Sequence, residues 1–262
     1  MNRRHFLSAL TTAAAVLTLG LPTAHADVLA SVGKAGVLKV AVPQDFPPFG
    51  SVGPDLKPRG YDIDMAELIG KAMGVKVELI PVTSTNRIPY LTTGKADLVI
   101  SSLGKNPDRA KVIDFSDAYA PFFNGVFGPK DMSVTQVGDL SSKVVGVTRG
   151  SVEDLELTKI APKDVTIKRF EDNNGTISAY LTGQVQLVAT GNVVAAAVND
   201  LTDLRELSAK FLIKNSPCYV GVNKGESALL AKVNAIIAAA KADGSLEAIS
   251  QKWLQQPLPE GL

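Results

Sequence analysis

Arg109 follows Asn106 by three residues and Pro107 by two. This spacing predicts a helix capped by Asn106, with Pro107 as its first residue and Arg109 in its first turn. Such a turn leaves backbone N–H groups and the positive helix end facing outward, where an anion can sit. The guanidinium of Arg109 can grip a carboxylate through two parallel hydrogen bonds, and Ser101 and Ser102, at the end of the run from Asp97 to Ile100, add donors beside it. A surface pairing of Arg109 with Asp114 or Asp117 is the competing reading. Ser151 and Asp154 have the spacing of a capping box, which accounts for Ser151 by helix capping alone. Asp62 and Asp64 look like a catalytic pair on paper, yet an N-cap at Asp62 and a solvated first-turn acid at Asp64 explain both. Cys218 is the only cysteine, so an internal disulfide is excluded, and it reads as a small buried hydrophobe.

Both histidines, His5 and His25, fall in a segment that reads as a removable address. Arg3 and Arg4 give a positive start, Leu7 to Leu21 is apolar, and Ala24-His25-Ala26 fits a small-x-small cleavage site, so the mature chain is expected to begin at Asp27 and to work outside the cytoplasm. The two arginines fit either an ordinary secretory signal or a twin-arginine signal. Without histidine the mature chain has no Ser-His-Asp triad, no Cys-His nucleophile and no histidine-ligated zinc or iron. No EF-hand or P-loop spacing is present. No cofactor and no metal are expected, and carboxylates are left as the route to acid–base chemistry. The whole chain carries 27 Lys and Arg against 26 Asp and Glu, a balance that argues against nucleic acid as a partner.

The elements that must position these groups alternate from the start. Strands are predicted over 37–42, 75–80 and 97–100, with helices over 63–73 and 88–93 between them, which is βαβ order. A second series follows, with strands over 143–148, 165–170 and 185–189 and helices over 152–160 and 176–181. Two amphipathic helices, 226–241 and 245–254, end the chain and need a sheet to cover, which is expected to be that of the first half. The path then crosses between halves twice, near residues 121–124 and 215–219, an arrangement that permits hinge closure. The predicted class is α/β with two lobes, lobe 1 from 27–122 and 218–262 and lobe 2 from 123–217.

Four stretches carry a family resemblance. They are Asp45-Phe46-Pro47-Pro48-Phe49, Gly60-Tyr61-Asp62-Ile63-Asp64-Met65-Ala66, the run from Asp97 through Pro107-Asp108-Arg109 to Ser116, and Lys241-Ala242-Asp243-Gly244-Ser245 with Trp253. In this order they resemble the periplasmic polar amino-acid-binding proteins, solute-binding family 3, across essentially all of the mature chain. The resemblance implies a type II periplasmic-binding-protein fold, a monomer that closes on a small-molecule ligand and serves an inner-membrane ABC permease. It also implies that Arg109, Ser101, Ser102 and the N–H of Gly104 hold a carboxylate, that Phe46 is the apolar wall with Phe49 as a core residue, and that the turn Gly150-Ser151 touches the ligand from the second lobe. Relatives usually carry a hydroxyl residue at the position of Gly104.

Thr83 to Pro89 resembles the glutamate/aspartate-binding subgroup, which implies that Ser84 and Arg87 reach the ligand side chain. Asn173 stands where that subgroup has histidine, and Pro43 where it has an arginine. Gly191 stands where most of the family has an aspartate that accepts from the ligand's ammonium. Three routes stay open: neutral acceptors such as Asn173, Asn192 and backbone carbonyls replace the acid, or Glu171 or Asp172 moves in, or the ligand lacks a free α-amino group. The main reading is an exported receptor for a polar or acidic amino acid. The alternatives are a binder of a dicarboxylate or an N-substituted amino acid, and a cyclohexadienyl-dehydratase-like enzyme using Glu153, Glu171 or Asp172.

Overall fold

The strand Val37–Pro43 is buried over its last four residues, as befits a strand covered on both faces. In the computed structural model, which describes residues 27–262, it pairs in parallel with Lys76–Val82 on one side and Leu98–Val99 on the other. Helices Tyr61–Met73 and Arg87–Thr92 make the crossovers. Cys218–Asn223 then pairs antiparallel to Leu98–Val99, and Ile113–Ala120 antiparallel to Cys218–Asn223, completing five strands. The expected export segment lies outside the described residues.

The second sheet repeats this plan. Val144–Thr148 sits between Thr166–Phe170 and Leu187–Gly191, parallel to both, and the antiparallel strands Phe123–Gly128 and Ser208–Asn215 follow. The weak echo between the halves is thus an equality of topology. The chain leaves the edge of each sheet to enter the other one place inside its edge, between Ala120 and Phe123 and between Asn215 and Cys218.

The terminal helices Ser227–Ala242 and Ser245–Leu254 bury Leu229, Val233, Ile237 and Leu246 against the first sheet and helix Tyr61–Met73. Among the described residues no helix is long and apolar enough to cross a membrane. The periodicity of the sequence does not show the small sheet of Asp45–Phe46, Gly50–Val52 and Pro58–Arg59, nor helix Asn192–Leu201. Cys218 is fully buried, and burial pushes its thiol well above the ordinary range.

Candidate functional site

Between the two sheets lies a narrow, largely closed cavity lined by residues of both halves. Of the residues expected at a site, Phe46, Ser84, Arg87, Ser101, Ser102 and Gly104 line it from one side and Ser151 and Asn173 from the other. Phe46 is 8% exposed and packs between Phe49 and Phe122, with ring centroids 6.1 and 6.0 Å away. Phe49 is fully buried, as a core residue.

Arg87 is the cation that faces the cavity. Helix Arg87–Thr92 starts with it, and its guanidinium is buried, one Nη donating to the Ser101 carbonyl. Its Nε has no hydrogen-bond partner. Burial works against its charge, while Glu153 and Asp62 support it. Among the described residues, the other buried side-chain polar atoms without partners are Asn124 Oδ1 and Ser216 Oγ, and both residues line the same cavity.

The Arg109 guanidinium is bonded to backbone carbonyls and is not among the residues lining the cavity. Asn106 caps helix Pro107–Val112 as expected, its Oδ1 accepting from Arg109 N at 2.8 Å. The Arg109 side chain is buried, not paired with Asp114, which bonds Lys224 instead. One Nη donates to the Gly104 carbonyl at 2.6 Å and the other to the Gly150 carbonyl at 2.8 Å, so the guanidinium clasps one lobe to the other. Burial and the like charge of Arg87 pull its pKa down to about 9. Gly150 serves this clasp through its carbonyl and is not part of the cavity wall. A second clasp joins Asp45 to the N-terminus of helix Asn173–Leu181, where Asp45 Oδ2 accepts from Asn173 N at 2.7 Å, a favourable place for a carboxylate.

Asp62 corrects the reading of it as an N-cap. Helix Tyr61–Met73 is capped by Gly60, so Asp62 lies within the first turn, turned inward and fully buried. Its carboxylate accepts from Ser102 N at 2.7 Å and from the Tyr119 hydroxyl at 2.5 Å. Ser102 has a φ of 40°, a conformation uncommon for a residue with a side chain, and the Asp62 carboxylate holds its N–H in that pose. Asp64 is the more exposed acid, bonded to Lys252 and Trp253. Burial pushes Asp62 up to about 7, against the hydrogen bonds from Tyr119 and Ser102 and the charge of Arg87. An acid whose pKa rises on folding holds its proton longer folded than unfolded. Its stabilising contribution is therefore full below 3.8, the ordinary value, and is lost as pH rises to about 7. The melting temperature of the parent is expected to fall relative to that of Asp62→Asn between pH 4 and 7, by on the order of a few kcal/mol of stability. A difference that stays constant over this range would show that Asp62 is ionised throughout.

Two departures at glycine have physical causes. A Cβ on Gly104 would meet Ser216 Oγ at 2.5 Å and Val152 Cγ2 at 2.6 Å, so the space of a side chain there is filled by Ser216 and Val152. A Cβ on Gly191 would come within 2.1 Å of the Phe122 ring. Gly191 thus packs on Phe122, outside the cavity wall, and a larger residue cannot be accommodated without displacing that ring. The two amides among the expected neutral acceptors each already accept one hydrogen bond. Asn173 Oδ1 accepts from Thr148 Oγ1 and Asn192 Oδ1 from Phe123 N. Glu171 pairs with Arg149, and Asp172 caps helix Asn173–Leu181.

The cavity residues that sequence reasoning passes over include Asp45, Phe122, Asn124 and Ser216. The last three stand at or beside the interlobe crossovers, and the available signal is polar residues beside two sheet-to-sheet switches. Glu153, considered as a cleft acid, is buried in the cavity wall. Burial pushes its carboxyl up, against hydrogen bonds from its own backbone and Ser151 and the charges of Arg87 and Arg109.

Comparison with known proteins places this geometry. The glutamine-binding protein GlnH of an ABC transporter in Bacillus subtilis (strain 168) is 29% identical over 236 residues, covering 88% of this chain and 85% of the relative. An ancestral arginine-binding protein bound to glutamine superimposes with a TM-score of 0.79 at 33% identity, covering 84% of this chain and 99% of the other. An ancestral amino acid-binding protein, described as a precursor of cyclohexadienyl dehydratase, superimposes with a TM-score of 0.80 at 30% identity over 87% of this chain and 99% of the other. Residues 38–256 match the bacterial extracellular solute-binding proteins of family 3, and with its two topologically equal sheets around one cleft the chain belongs to that family.

Proposed function

We propose that the protein captures a small polar amino acid outside the cytoplasm and delivers it, as a monomer, to an inner-membrane ABC permease. The observation that carries this reading is the unpartnered Nε of Arg87, buried in the cleft with a neighbouring nitrogen fixed on Ser101. A buried guanidinium N–H without an acceptor is unfavourable, and a carboxylate is the acceptor that matches it in charge and geometry. In this reading Arg87, Ser102 and the backbone at Gly104 hold the carboxylate, Phe46 is the apolar wall, and Ser84, Ser151 and Asn173 shape the remainder of the cleft. Arg109 and Gly150 hold the lobes shut around it. The names of the relatives support an amino acid as ligand and an ABC transporter as partner. Residues 1–26 are the export signal of this proposal, and 27–122 with 218–262 and 123–217 are its two lobes.

A thermal-shift screen over amino acids, dicarboxylates and N-substituted amino acids tests it. A ligand at 100 times its Kd stabilises by about 2.7 kcal/mol, enough to read in a melting curve. A shift with amino acids supports the reading, and a shift with glutarate alone overturns it. Small-angle scattering provides a separate expectation. Binding favours the clasped form, so the radius of gyration is expected to fall at ligand saturation, and an unchanged value would remove hinge closure from the mechanism.

Glu153 favours a second reading. It is a carboxyl in the cleft wall whose pKa burial raises, the property a proton-transfer group needs, and a structural relative is described as a dehydratase precursor. Incubation with arogenate or prephenate separates the two readings: an aromatic product assigns an enzyme, and its absence alongside amino-acid binding assigns a receptor.

A further inference from the structure

Asn124 is 1% exposed and lines the cleft at the start of strand Phe123–Gly128. Its amide is oriented by its surroundings. The Nδ2 donates to the Lys214 carbonyl at 3.3 Å, and turning the amide over would set Oδ1 against that carbonyl instead. Oδ1 is therefore the free end, and it has no partner. A buried acceptor in this position calls for an N–H donor, and a ligand in the cleft is positioned to bring one.

The register of the second sheet adds a reason. Asn124 is the antiparallel partner of Gly191, and directly opposed residues project to the same face. Gly191 contributes no side chain to that face, and the Phe122 ring prevents it from carrying one. A polar group at this end of the cleft is thus supplied from across the strand pair. The other amides nearby, Asn173 and Asn192, already accept from Thr148 and Phe123.

We propose that Asn124 Oδ1 receives the α-amino group of the bound amino acid, a neutral acceptor in a cleft whose cationic end is Arg87. This assignment rests on the amino-acid reading and adds to it a residue that discriminates ligands with an α-amino group from those without. The neutral acceptor holds the ammonium without adding a carboxylate that would compete with the ligand for Arg87.

The test is a cycle on the full mature protein. Titration calorimetry compares L-glutamine with glutaramic acid, its counterpart lacking the α-amino group, on the parent and on Asn124→Leu and Asn124→Ala. If another amino acid gives the larger thermal shift, that amino acid and its des-amino counterpart are used. The parent is expected to prefer the amino form by about ten-fold or more, and both variants to lose most of that preference, the amino form losing more affinity than the des-amino form. Equal losses for the two ligands, which a merely structural role would give, overturn the assignment, as does an unchanged preference in the variants. If neither variant folds, Asn124→Ser, smaller and still polar, is measured in their place, and equal affinity of the parent for the two ligands overturns the assignment whichever variants fold. Failure of the parent to bind any amino acid in the screen is a different result, because it removes the amino-acid reading itself.

Discussion

Arg87→Met is expected to abolish detectable binding of the ligand found by screening while leaving the fold in place. The substitution keeps much of the buried stem and removes the guanidinium, so the ligand carboxylate would enter a desolvated cleft without its counter-charge. Truncating one partner of such a buried charged pair costs about 2 to 5 kcal/mol, or roughly thirty-fold and more in affinity. Calorimetry on the folded variant is the measurement, and an affinity within threefold of the parent would place the anion site elsewhere. Arg109→Met is the instructive comparison. Its guanidinium bonds the carbonyls of Gly104 and Gly150, so its removal acts by loosening the clasp. A smaller affinity loss is expected there, together with a larger radius of gyration for the ligand-bound state than in the parent.

Gly191→Asp is expected to destabilise the protein, although the family resemblance implies an aspartate at this position. The backbone at Gly191, with φ −79° and ψ 148°, suits any residue, so space alone decides the outcome. The new Cβ would fall 2.1 Å from the Phe122 ring, and Phe122 is itself packed at 5.4 Å on Phe49 and 6.0 Å on Phe46. Overpacking of this kind costs about 1 to 3 kcal/mol, and desolvation of the new carboxylate adds to it. Gly191→Ala isolates the steric part. Its melting temperature is expected to fall by about 2 to 4 °C per kcal/mol, and adding Phe122→Ala to it is expected to be less destabilising than the sum of the two single changes. A Gly191→Ala protein with the melting temperature and affinity of the parent would show that the ring moves aside freely.

The alternation of strands and helices is legible in the sequence because hydrophobic periodicity reports it directly, whereas the strands Ile113–Ala120, Phe123–Gly128 and Ser208–Asn215 beside the crossovers escape it. Helix Asn173–Leu181 begins three residues before the predicted start because its cap is Asp172, whose Oδ1 accepts from Gly175 N. Asp62 was legible as an acid at the head of an apolar run, which is the signature of a cap. It is instead a buried acceptor, since Gly60 starts the helix and the partners Ser102 and Tyr119 come from distant parts of the chain. The cavity residues contributed by regular motifs, such as Ser101, Ser102 and Arg87, were within reach for the same reason. Asn124 and Ser216 were not, because their place in the cleft depends on which strand each crossover enters and in what register, and neither is encoded in local spacing. The two glycines show this most clearly. Each reads as a missing group, yet in three dimensions each leaves room for a side chain at or next to a crossover, Ser216 at Gly104 and Phe122 at Gly191.

The position of strand Cys218–Asn223 in the first sheet also bears on the order in which a nascent chain can acquire structure. It lies between Leu98–Val99 and Ile113–Ala120, and in this sheet Ile113–Ala120 pairs with no other strand. Ribosomes release the amino end first, so the first sheet stays incomplete until residue 223 has emerged, and its cover waits for helices that end at Leu254. The second sheet draws only on residues 123–215 and has all its strands earlier. The half of the molecule that begins the chain is therefore the last to close, which keeps the product open to unfolded handling until synthesis is nearly complete.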